Sequence, residues 1–204
     1  MTASSDNALL KRRLMLIGIF VLFIAPIGLA WLMVHNVITW RPAGTKQHGD
    51  LIKPPFSLRS ADLLDANGKT VALTGHLGTW TVLFIGPAAC RAACAKRLIE
   101  TRQVRLAVGR DIPRVRRLYL VPPQAAAGSL PEALRTANPD LIVVHDGTAS
   151  DPALAALSKR INLQPNQVLF VDSQGYAMMR YRLGQSARGI LKDLQLLLRA
   201  SQTE

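Results

Sequence analysis

Apolar residues form one long run near the N-terminus and several short runs after it. Residues 14–34 read LMLIGIFVLFIAPIGLAWLMV, with no charged residue among these 21 positions. At a helical rise of 1.5 Å per residue, such a run spans roughly 30 Å, the thickness of a bilayer core. Pro26 lies inside it, which transmembrane helices tolerate. The pattern therefore predicts one membrane-spanning helix at the start of the chain.

Basic residues immediately before this run predict its direction. Lys11–Arg13 precede the apolar positions, and the positive-inside rule keeps such residues in the cytoplasm and exports the chain on the far side of the helix. A cleaved signal peptide is the alternative, because residues 28–30 offer a small-x-small cleavage site. The run is longer than a usual signal core, so we favour a retained anchor. We expect a cytoplasmic tail (1–13), an anchor (14–34) and a periplasmic remainder, as in a bacterial inner-membrane protein.

The later apolar runs are short and alternate with helical patterns. Residues 35–53 are polar and contain Gly and Pro, which predicts a tether that Pro54-Pro55 closes in an extended conformation. The expected strands cover 56–64, 70–73, 80–85, 117–121, 141–144, 168–171 and 176–181, and the expected helices cover 88–108, 130–136, 151–161 and 186–200. This alternation predicts one α/β domain over residues 54–204, with a mostly parallel sheet.

The charge of the chain restricts its partners. The formal net charge is +12 and the pI about 10.7, a balance that favours anionic partners. No zinc-finger spacing, phosphate-binding Gly loop or RNA-binding aromatic motif is present, so we expect a membrane and no nucleic acid. Residues 91–117 hold nine Lys or Arg and two acids. This segment is either a solvated helix face or a docking surface for anionic lipid or an acidic partner.

The two cysteines carry the candidate chemistry. Cys90 and Cys94 come after the apolar strand at 80–85, where a helix is expected to start. A spacing of four predicts both sulfurs on one helical face, with the Cα atoms about 6 Å apart. That distance fits a disulfide or a shared soft metal such as Cu(I). The helix N-terminus and Arg91, Lys96 and Arg97 would favour thiolates. The alternative is two buried cysteines that only fill space.

Residues 56–95 hold a set of motifs in a fixed order. They are the Asp65…Asn67-Gly68-Lys69 turn, Val71, Leu73, Leu77-Gly78, Trp80, the strand ending in Phe84-Ile85-Gly86, and Cys90-x-x-x-Cys94. In these features the segment resembles the SCO/SenC family of thioredoxin-like copper chaperones for cytochrome c oxidase. Further on, residues 168–175 resemble the final hairpin of that family. The resemblance covers about residues 54–200 together with the single anchor, and it implies a thioredoxin-like domain preceded by one transmembrane helix.

The sequence departs from the family's copper site. Family members usually have a proline after each cysteine, and Arg91 and Ala95 occupy those positions here. The family's histidine ligand is replaced by Gln164. His145, which comes after the strand at 141–144, could supply a substitute nitrogen. Thioredoxin-like oxidoreductases also place a cis-proline before the strand that faces their cysteines, and Pro165 is the candidate for that role.

The resemblance implies an accessory factor for cytochrome c oxidase assembly. In the copper version, Cys90 and Cys94 hold Cu(I), with His145 as a further metal ligand. In the redox version, Cys90 attacks a partner disulfide and Cys94 resolves the mixed disulfide. The expected partners are oxidase subunits or other assembly factors. A non-catalytic scaffold and a general periplasmic thiol-disulfide oxidoreductase are the alternatives. His35 and His48 lie in the expected tether and are expected to take no part.

Overall fold

The structure is a computed structural model. It describes residues 3–35, 47–75, 78–122, 130–147 and 152–201. The chain divides into two units, Met1–Lys46 and Gln47–Glu204. Residues 36–46 of the expected tether lie outside the described residues.

The described part of the first unit is a helix, α1 (Ala3–Val34), which continues through Pro26. Within it, Lys11–Leu32 is long and apolar enough to cross a membrane, and none of its most apolar window is buried. The side chains between Leu14 and Trp31 are exposed, as a lipid-facing surface requires. The N-terminal helix that the hydrophobic pattern predicted is therefore present, and it begins within the expected cytoplasmic tail.

The second unit is built on a seven-stranded sheet in the order β1-β7-β6-β3-β4-β5-β2. The strands are β1 (Asp50–Ser57), β2 (Leu63–Asp65), β3 (Trp80–Ile85), β4 (Val115–Val121), β5 (Leu141–Asp146), β6 (Val168–Val171) and β7 (Tyr176–Tyr181). The helices are α2 (Ala92–Ala107), α3 (Glu132–Ala137), α4 (Pro152–Ile161) and α5 (Ala187–Ala200), with a 3-10 helix at Gly109–Arg114. Of these strands, only β3, β4 and β5 pair in parallel. The expected mostly parallel sheet is wrong, because both edge strands and the β6–β7 hairpin pair antiparallel.

The strand expected over 56–64 is divided between the two edges of the sheet. In the structure β1 ends at Ser57 and β2 begins at Leu63, and they lie at opposite edges. β1 includes Pro54 and Pro55, and its register with β7 shifts between Leu51 and Phe56. Proline cannot donate a ladder hydrogen bond, but an edge strand tolerates it. The prolines expected to close the tether therefore belong to a strand.

Both predicted turns are confirmed. Asp65 Oδ1 accepts hydrogen bonds from the backbone N–H of Asn67 (2.8 Å) and Lys69 (2.9 Å), and Gly68 has a φ of 75°. After this turn the described residues form an isolated bridge between Leu64 and Thr70, in place of the expected strand at 70–73. In the β6–β7 hairpin, Asp172 accepts the same kind of bonds from the backbone that comes after it. Short acidic side chains stabilise turns in this way.

The sheet is covered differently on its two sides. One side, here called the aliphatic layer, packs α4 and the chain before β3 against aliphatic side chains such as Leu83, Leu118 and Leu169. The other side, the α2/α5 layer, packs α2 and α5 against Phe84, Tyr119 and other aromatic residues of the sheet. Alternate residues of β3 and β4 face opposite layers, as the pleat of a strand requires.

Candidate functional site

The two cysteines lie at the carboxyl end of β3, where it leads into α2. Cys90 comes before the helix and Cys94 is in its first turn, since α2 begins at Ala92 with Arg91 as its N-cap. The predicted helix start at residue 88 is therefore four residues too early, and the two cysteines are not on one helical face. The structure joins them in a disulfide with a Cα–Cα distance of 5.2 Å. The sequence thus predicted the proximity of the cysteines but not the local backbone.

Gly86 allows the cysteine segment to leave β3 close against β4. A Cβ atom at this position would lie 2.6 Å from the Tyr119 hydroxyl and 2.7 Å from the Leu120 carbonyl oxygen. The Gly86 N–H also donates a 2.9 Å hydrogen bond to Leu120 O. Any larger residue would displace this backbone, so Gly86 fixes where the segment carrying Cys90 begins.

The two sulfurs differ in their access to solvent. The Cys94 residue is only 1% exposed and belongs to the core of the α2/α5 layer. Cys90 is half-buried and packs against the edge of the same cluster. The residues around Cys90 are small and exposed, namely Ala88, Ala89, Ala92 and Ala93. Cys90 therefore keeps part of its surface exposed, whereas Cys94 is shielded.

The charges near the disulfide are fewer than the sequence implied. The first turn of α2 holds no acid, and Arg91 and Lys96 are exposed. Arg97 is 2% exposed and directed elsewhere: its guanidinium donates to Arg182 O (2.7 Å) and to Gln185 O (3.0 Å). Arg97 thus joins α2 to the loop before α5. The helix N-terminus remains as a group that would stabilise a thiolate once the disulfide is reduced.

His145 does not join the two cysteines. It is exposed at the end of β5 and pairs with Val121 of β4, so a whole strand separates it from β3. Among the described residues, no group of three His, Cys, Asp or Glu is placed to hold a metal ion. Gln164, at the position of the family histidine, is exposed and donates to Asn162 Oδ1 at 2.7 Å. Neither residue completes a three-donor site with the cysteines.

Pro165 is close to the site but not in the expected conformation. The loop before β6 reaches the end of β3, where Asn166 N–H donates to Ile85 O at 2.8 Å. Among the described residues the cis peptide bond is Lys53–Pro54, and Gln164–Pro165 is trans. The hypothesis of a cis-proline at Pro165 is therefore wrong. The positive φ of 65° at Asn166 turns this loop instead.

His48, expected to be a tether residue without a role, is held by a buried carboxylate of α5. Asp193 is 3% exposed and accepts hydrogen bonds from His48 N (2.7 Å), His48 Nδ1 (3.0 Å), Gly49 N (2.9 Å) and the Tyr181 hydroxyl (2.7 Å). Burial alone would raise the pKa of Asp193, but these hydrogen bonds outweigh it and hold the pKa below its ordinary value. The start of the second unit is thus tied to its last helix.

Tyr119 is a buried hydroxyl beside the cysteine segment that sequence reasoning missed. Its ring stacks on Phe84 with centroids 5.3 Å apart, and its hydroxyl lies beneath Gly86 with no hydrogen-bond partner among the described residues. Burial raises its pKa to about 12, so the hydroxyl stays protonated. A tyrosine in the apolar strand RLYLV carries no sequence signal that separates a core ring from a site hydroxyl.

Fold and site together define a thioredoxin-like protein with one accessible and one buried cysteine at the start of a helix. A family model described as "Transmembrane-like, thioredoxin-like, C-terminal domain" matches residues 80–201. This match covers more than half of the chain, and the protein belongs to that family. The matched region contains both cysteines, Tyr119 and α5. Comparison with curated proteins finds no match.

Solved structures of the SCO/SenC group share this fold. Apo Sco1 from Thermus thermophilus has a TM-score of 0.54 at 15% identity, covering 77% of this chain and 99% of that one. Copper-bound yeast Sco1 has a TM-score of 0.55 at 13% identity, covering 78% and 96%. A SCO1/SenC family lipoprotein from Bacillus anthracis has a TM-score of 0.53 at 14% identity, covering 72% and 98%. The fold implied by the resemblance of residues 56–95 is confirmed.

Proposed function

We propose that this chain is a membrane-anchored thiol-disulfide exchange protein that acts in the assembly of cytochrome c oxidase. The observation that carries the proposal is the asymmetry of the cysteine pair, with Cys90 reachable at the surface and Cys94 1% exposed beneath it. Reactive cysteines are partly exposed and often lie at helix N-termini, whereas structural cysteines are buried. Cytochrome oxidase assembly is the activity of the copper-chaperone family that residues 56–95 resemble.

The course of the exchange depends on which sulfur can be reached. A thiolate of a partner dithiol attacks Cys90 Sγ, and the Cys90–Cys94 bond breaks with Cys94 as the leaving thiolate. The second thiolate of the partner then attacks the partner's sulfur atom in the mixed disulfide. This step forms the partner's disulfide and releases Cys90 as a thiolate. The partner is oxidised by two electrons, this chain is reduced to the dithiol, and the reverse steps reduce a partner disulfide. The helix N-terminus stabilises Cys94 as the leaving group.

Cu(I) as cargo is a second candidate function, favoured by the distance between the cysteines. Reduced thiolates whose Cα atoms are 5.2 Å apart can both bind one soft Cu(I) ion. The two thiolates would be the donors of such a site, because no third His, Cys, Asp or Glu joins the pair among the described residues. Copper-bound yeast Sco1 shares the fold. If His145 has no part, its replacement should leave Cu(I) binding unchanged.

The anchor supports a location for the second unit. Lys11–Arg13 precede the apolar part of α1, and basic flanks stay on the cytoplasmic side. The domain then faces the periplasm of a bacterial inner membrane, a compartment in which disulfides persist. Oxidase subunits or other assembly factors with paired cysteines are the partners that this chemistry would serve.

Trapping of a mixed disulfide tests the proposed exchange. The full-length Cys94→Ser variant is incubated with oxidised glutathione in mild detergent. The full-length Cys90→Ser variant, treated in the same way, is the matched control. We expect Cys94→Ser to form the adduct through Cys90 at least about tenfold faster, because Cys94 is buried. Mass spectrometry of the intact protein measures both rates. Equal rates, or faster reaction of Cys90→Ser, would contradict the assigned roles.

Anaerobic Cu(I) titration separates the candidates. Binding of one equivalent that Cys90→Ser abolishes and His145→Ala preserves supports the two-thiolate copper site. Absence of tight binding in a protein that still exchanges disulfides supports the redox function alone. If a double Cys→Ser variant still supports oxidase assembly in cells, the domain acts as a scaffold and both chemical functions are excluded.

A further inference from the structure

The outward surfaces of α2 and α5 combine exposed apolar side chains with cations. The two helices pack side by side on one side of the sheet. Each starts at the edge where β3 and β7 end, so the two helices run parallel. We call their outward surface the α2/α5 outer face. Its members are Ile99 (50% exposed), Leu106 (49%), Leu196 (53%), Lys96, Arg188, Lys192 and Arg199.

The acids of these two helices do not neutralise this surface. Glu100 is the acid of α2, and its carboxylate accepts from buried Arg97 at 3.0 Å. Asp193 is the acid of α5, and it is buried against His48 and Tyr181. Within the described part of the chain, the four cations of the face form no ion pair. Asp193 is thus buried and Glu100 is paired with Arg97, so the four cations carry the unpaired charge of the face.

The opposite side of the sheet has a different surface. Helix α4 presents Lys159 and Arg160 to solvent, but none of its described side chains is a large exposed apolar one. Cations alone are compatible with a solvated surface. Large apolar side chains that are half-exposed beside cations are typical of a helix surface that lies against a charged bilayer.

We propose that the α2/α5 outer face docks on an anionic lipid bilayer. The second unit comes after a helix able to cross a membrane, and residues 36–46 lie along the chain between that helix and the second unit. Eleven residues span at most about 40 Å when fully extended, so the domain stays at high local concentration near the bilayer. A tether of this length strengthens a weak surface interaction without any new contact. Docking would fix the distance of the Cys90–Cys94 disulfide from the lipid surface, because α2 carries Cys94.

Lysine acetylation of the full-length protein in lipid nanodiscs tests the docking. One preparation contains phosphatidylcholine alone, and the other contains about one-third phosphatidylglycerol. Lys96 and Lys192 report on the outer face, whereas Lys69 and Lys159 are exposed elsewhere. We expect acetylation of Lys96 and Lys192 to slow at least about threefold in the anionic discs, with Lys69 and Lys159 unchanged. About 0.5 M salt should remove the difference, since screening then acts within a few ångströms.

Two variants test whether the protection of Lys96 depends on the α2/α5 outer face or only on a general attraction of the basic domain to anionic lipid. Lys192→Glu combined with Arg199→Glu should abolish the protection of Lys96, whereas Lys159→Glu on α4 should preserve it. Equal reactivity of Lys96 in both discs overturns lipid docking and leaves an acidic protein as the occupant of the face. Protection that is the same for all four lysines, or that survives the double variant, also overturns the proposal.

Discussion

The two sides of the sheet are packed from different kinds of side chain. The described core of the aliphatic layer buries leucine, isoleucine, valine and alanine without a charged residue. The α2/α5 layer holds aromatic rings and Cys94, and the buried charges Arg97, Arg117 and Asp193 are on its elements. Apolar packing is non-directional, whereas a buried guanidinium or carboxylate accepts only an arrangement that satisfies its hydrogen bonds. The layer that carries the disulfide is therefore the one that holds the fully buried charges, and their hydrogen bonds fix how its helices lie on the sheet.

The largest effect should come from removing a buried charge of the α2/α5 layer. Arg117 is 1% exposed and donates to Asp140 (3.1 Å), Leu98 O (2.7 Å), Thr101 (3.0 Å) and Asn138 (3.2 Å). We expect Arg117→Ala to lower the free energy of unfolding by about 3–5 kcal/mol, because several buried acceptors lose their donor. Urea denaturation of the full-length protein in mild detergent, followed by circular dichroism, measures the change.

An exposed arginine beside the same carboxylate is the matched control. Arg102 Nε lies 3.9 Å from Asp140, and the side chain is 42% exposed. Arg102→Ala should cost under about 1 kcal/mol, as exposed ion pairs do. If the two alanine variants unfold alike, the buried guanidinium contributes no more than a surface charge, and the contrast between the layers fails.

The next effect comes from the neighbouring residue, which faces the other layer. Leu118 is completely buried in the aliphatic layer. We expect Leu118→Ala to cost about 2–5 kcal/mol through lost burial and the cavity left behind. Because this layer does not contact the cysteines, the reduction potential of Cys90–Cys94 should not change. A shift of that potential, measured in glutathione buffers, would contradict the separation of the aliphatic layer from the cysteines.

An exposed leucine is the control for Leu118. Leu196→Ala on the α2/α5 outer face should change the free energy of unfolding by less than about 0.5 kcal/mol.

Sequence patterns predicted the elements in which apolar residues are continuous or follow a helical period. The run WTVLFI predicted β3, and all six of its residues are buried. The periodicity of residues 186–200 predicted α5, which begins one residue later with Ser186 as its N-cap. Hydrophobic periodicity reports burial directly, so these elements could be predicted from the chain. The start of β1 was missed because Pro54 and Pro55 are compatible with a strand only at a sheet edge.

The polar contacts of the site could not be predicted, because their partners are distant in sequence. Arg97 would favour a thiolate only if it faced the cysteines, and its acceptors are instead carbonyls of residues 182 and 185. His48 was assigned to a tether, and its partner Asp193 lies 145 positions later. A charged or imidazole side chain in a sequence predicts exposure, and only the fold reveals the acceptor that offsets burial. The spacing of Cys90 and Cys94, in contrast, is local and predicted their proximity.

The third effect concerns the hydrogen bonds that Asp193 accepts from His48, Gly49 and Tyr181, and it depends on pH. The pKa of Asp193 is lowered in the folded protein, so its contribution to stability is present above the ordinary pKa of an aspartate and is lost as the pH falls through the folded value. We expect Asp193→Asn to cost about 1.5–3 kcal/mol at pH 7, since hydrogen bonds to a charge are removed. The variant should also lose less stability than the parent on acidification.

Unfolding free energies between neutral pH and about pH 3 measure this dependence. Asp172→Asn is a matched control, because Asp172 also accepts backbone hydrogen bonds but at a partly exposed turn. It should leave most of the acid dependence in place. If Asp193→Asn and the parent lose stability in parallel between these pH values, the carboxylate is not charged and paired in the way described.

The smallest effect, apart from the exposed control positions, should come from the disulfide itself. Cys90 and Cys94 are separated by only four positions, and closing so short a loop restricts the unfolded chain little, so reduction should cost at most about 2 kcal/mol. Unfolding with and without a phosphine reductant measures the free energy lost on reduction. The loss in Arg117→Ala is the reference value for a structural contact. A bond that contributes little to folding can open and close during turnover without endangering the domain. If reduction destabilises the protein more than Leu118→Ala does, the disulfide is a structural crosslink of the α2/α5 layer, and the exchange chemistry assigned to Cys90 loses its basis.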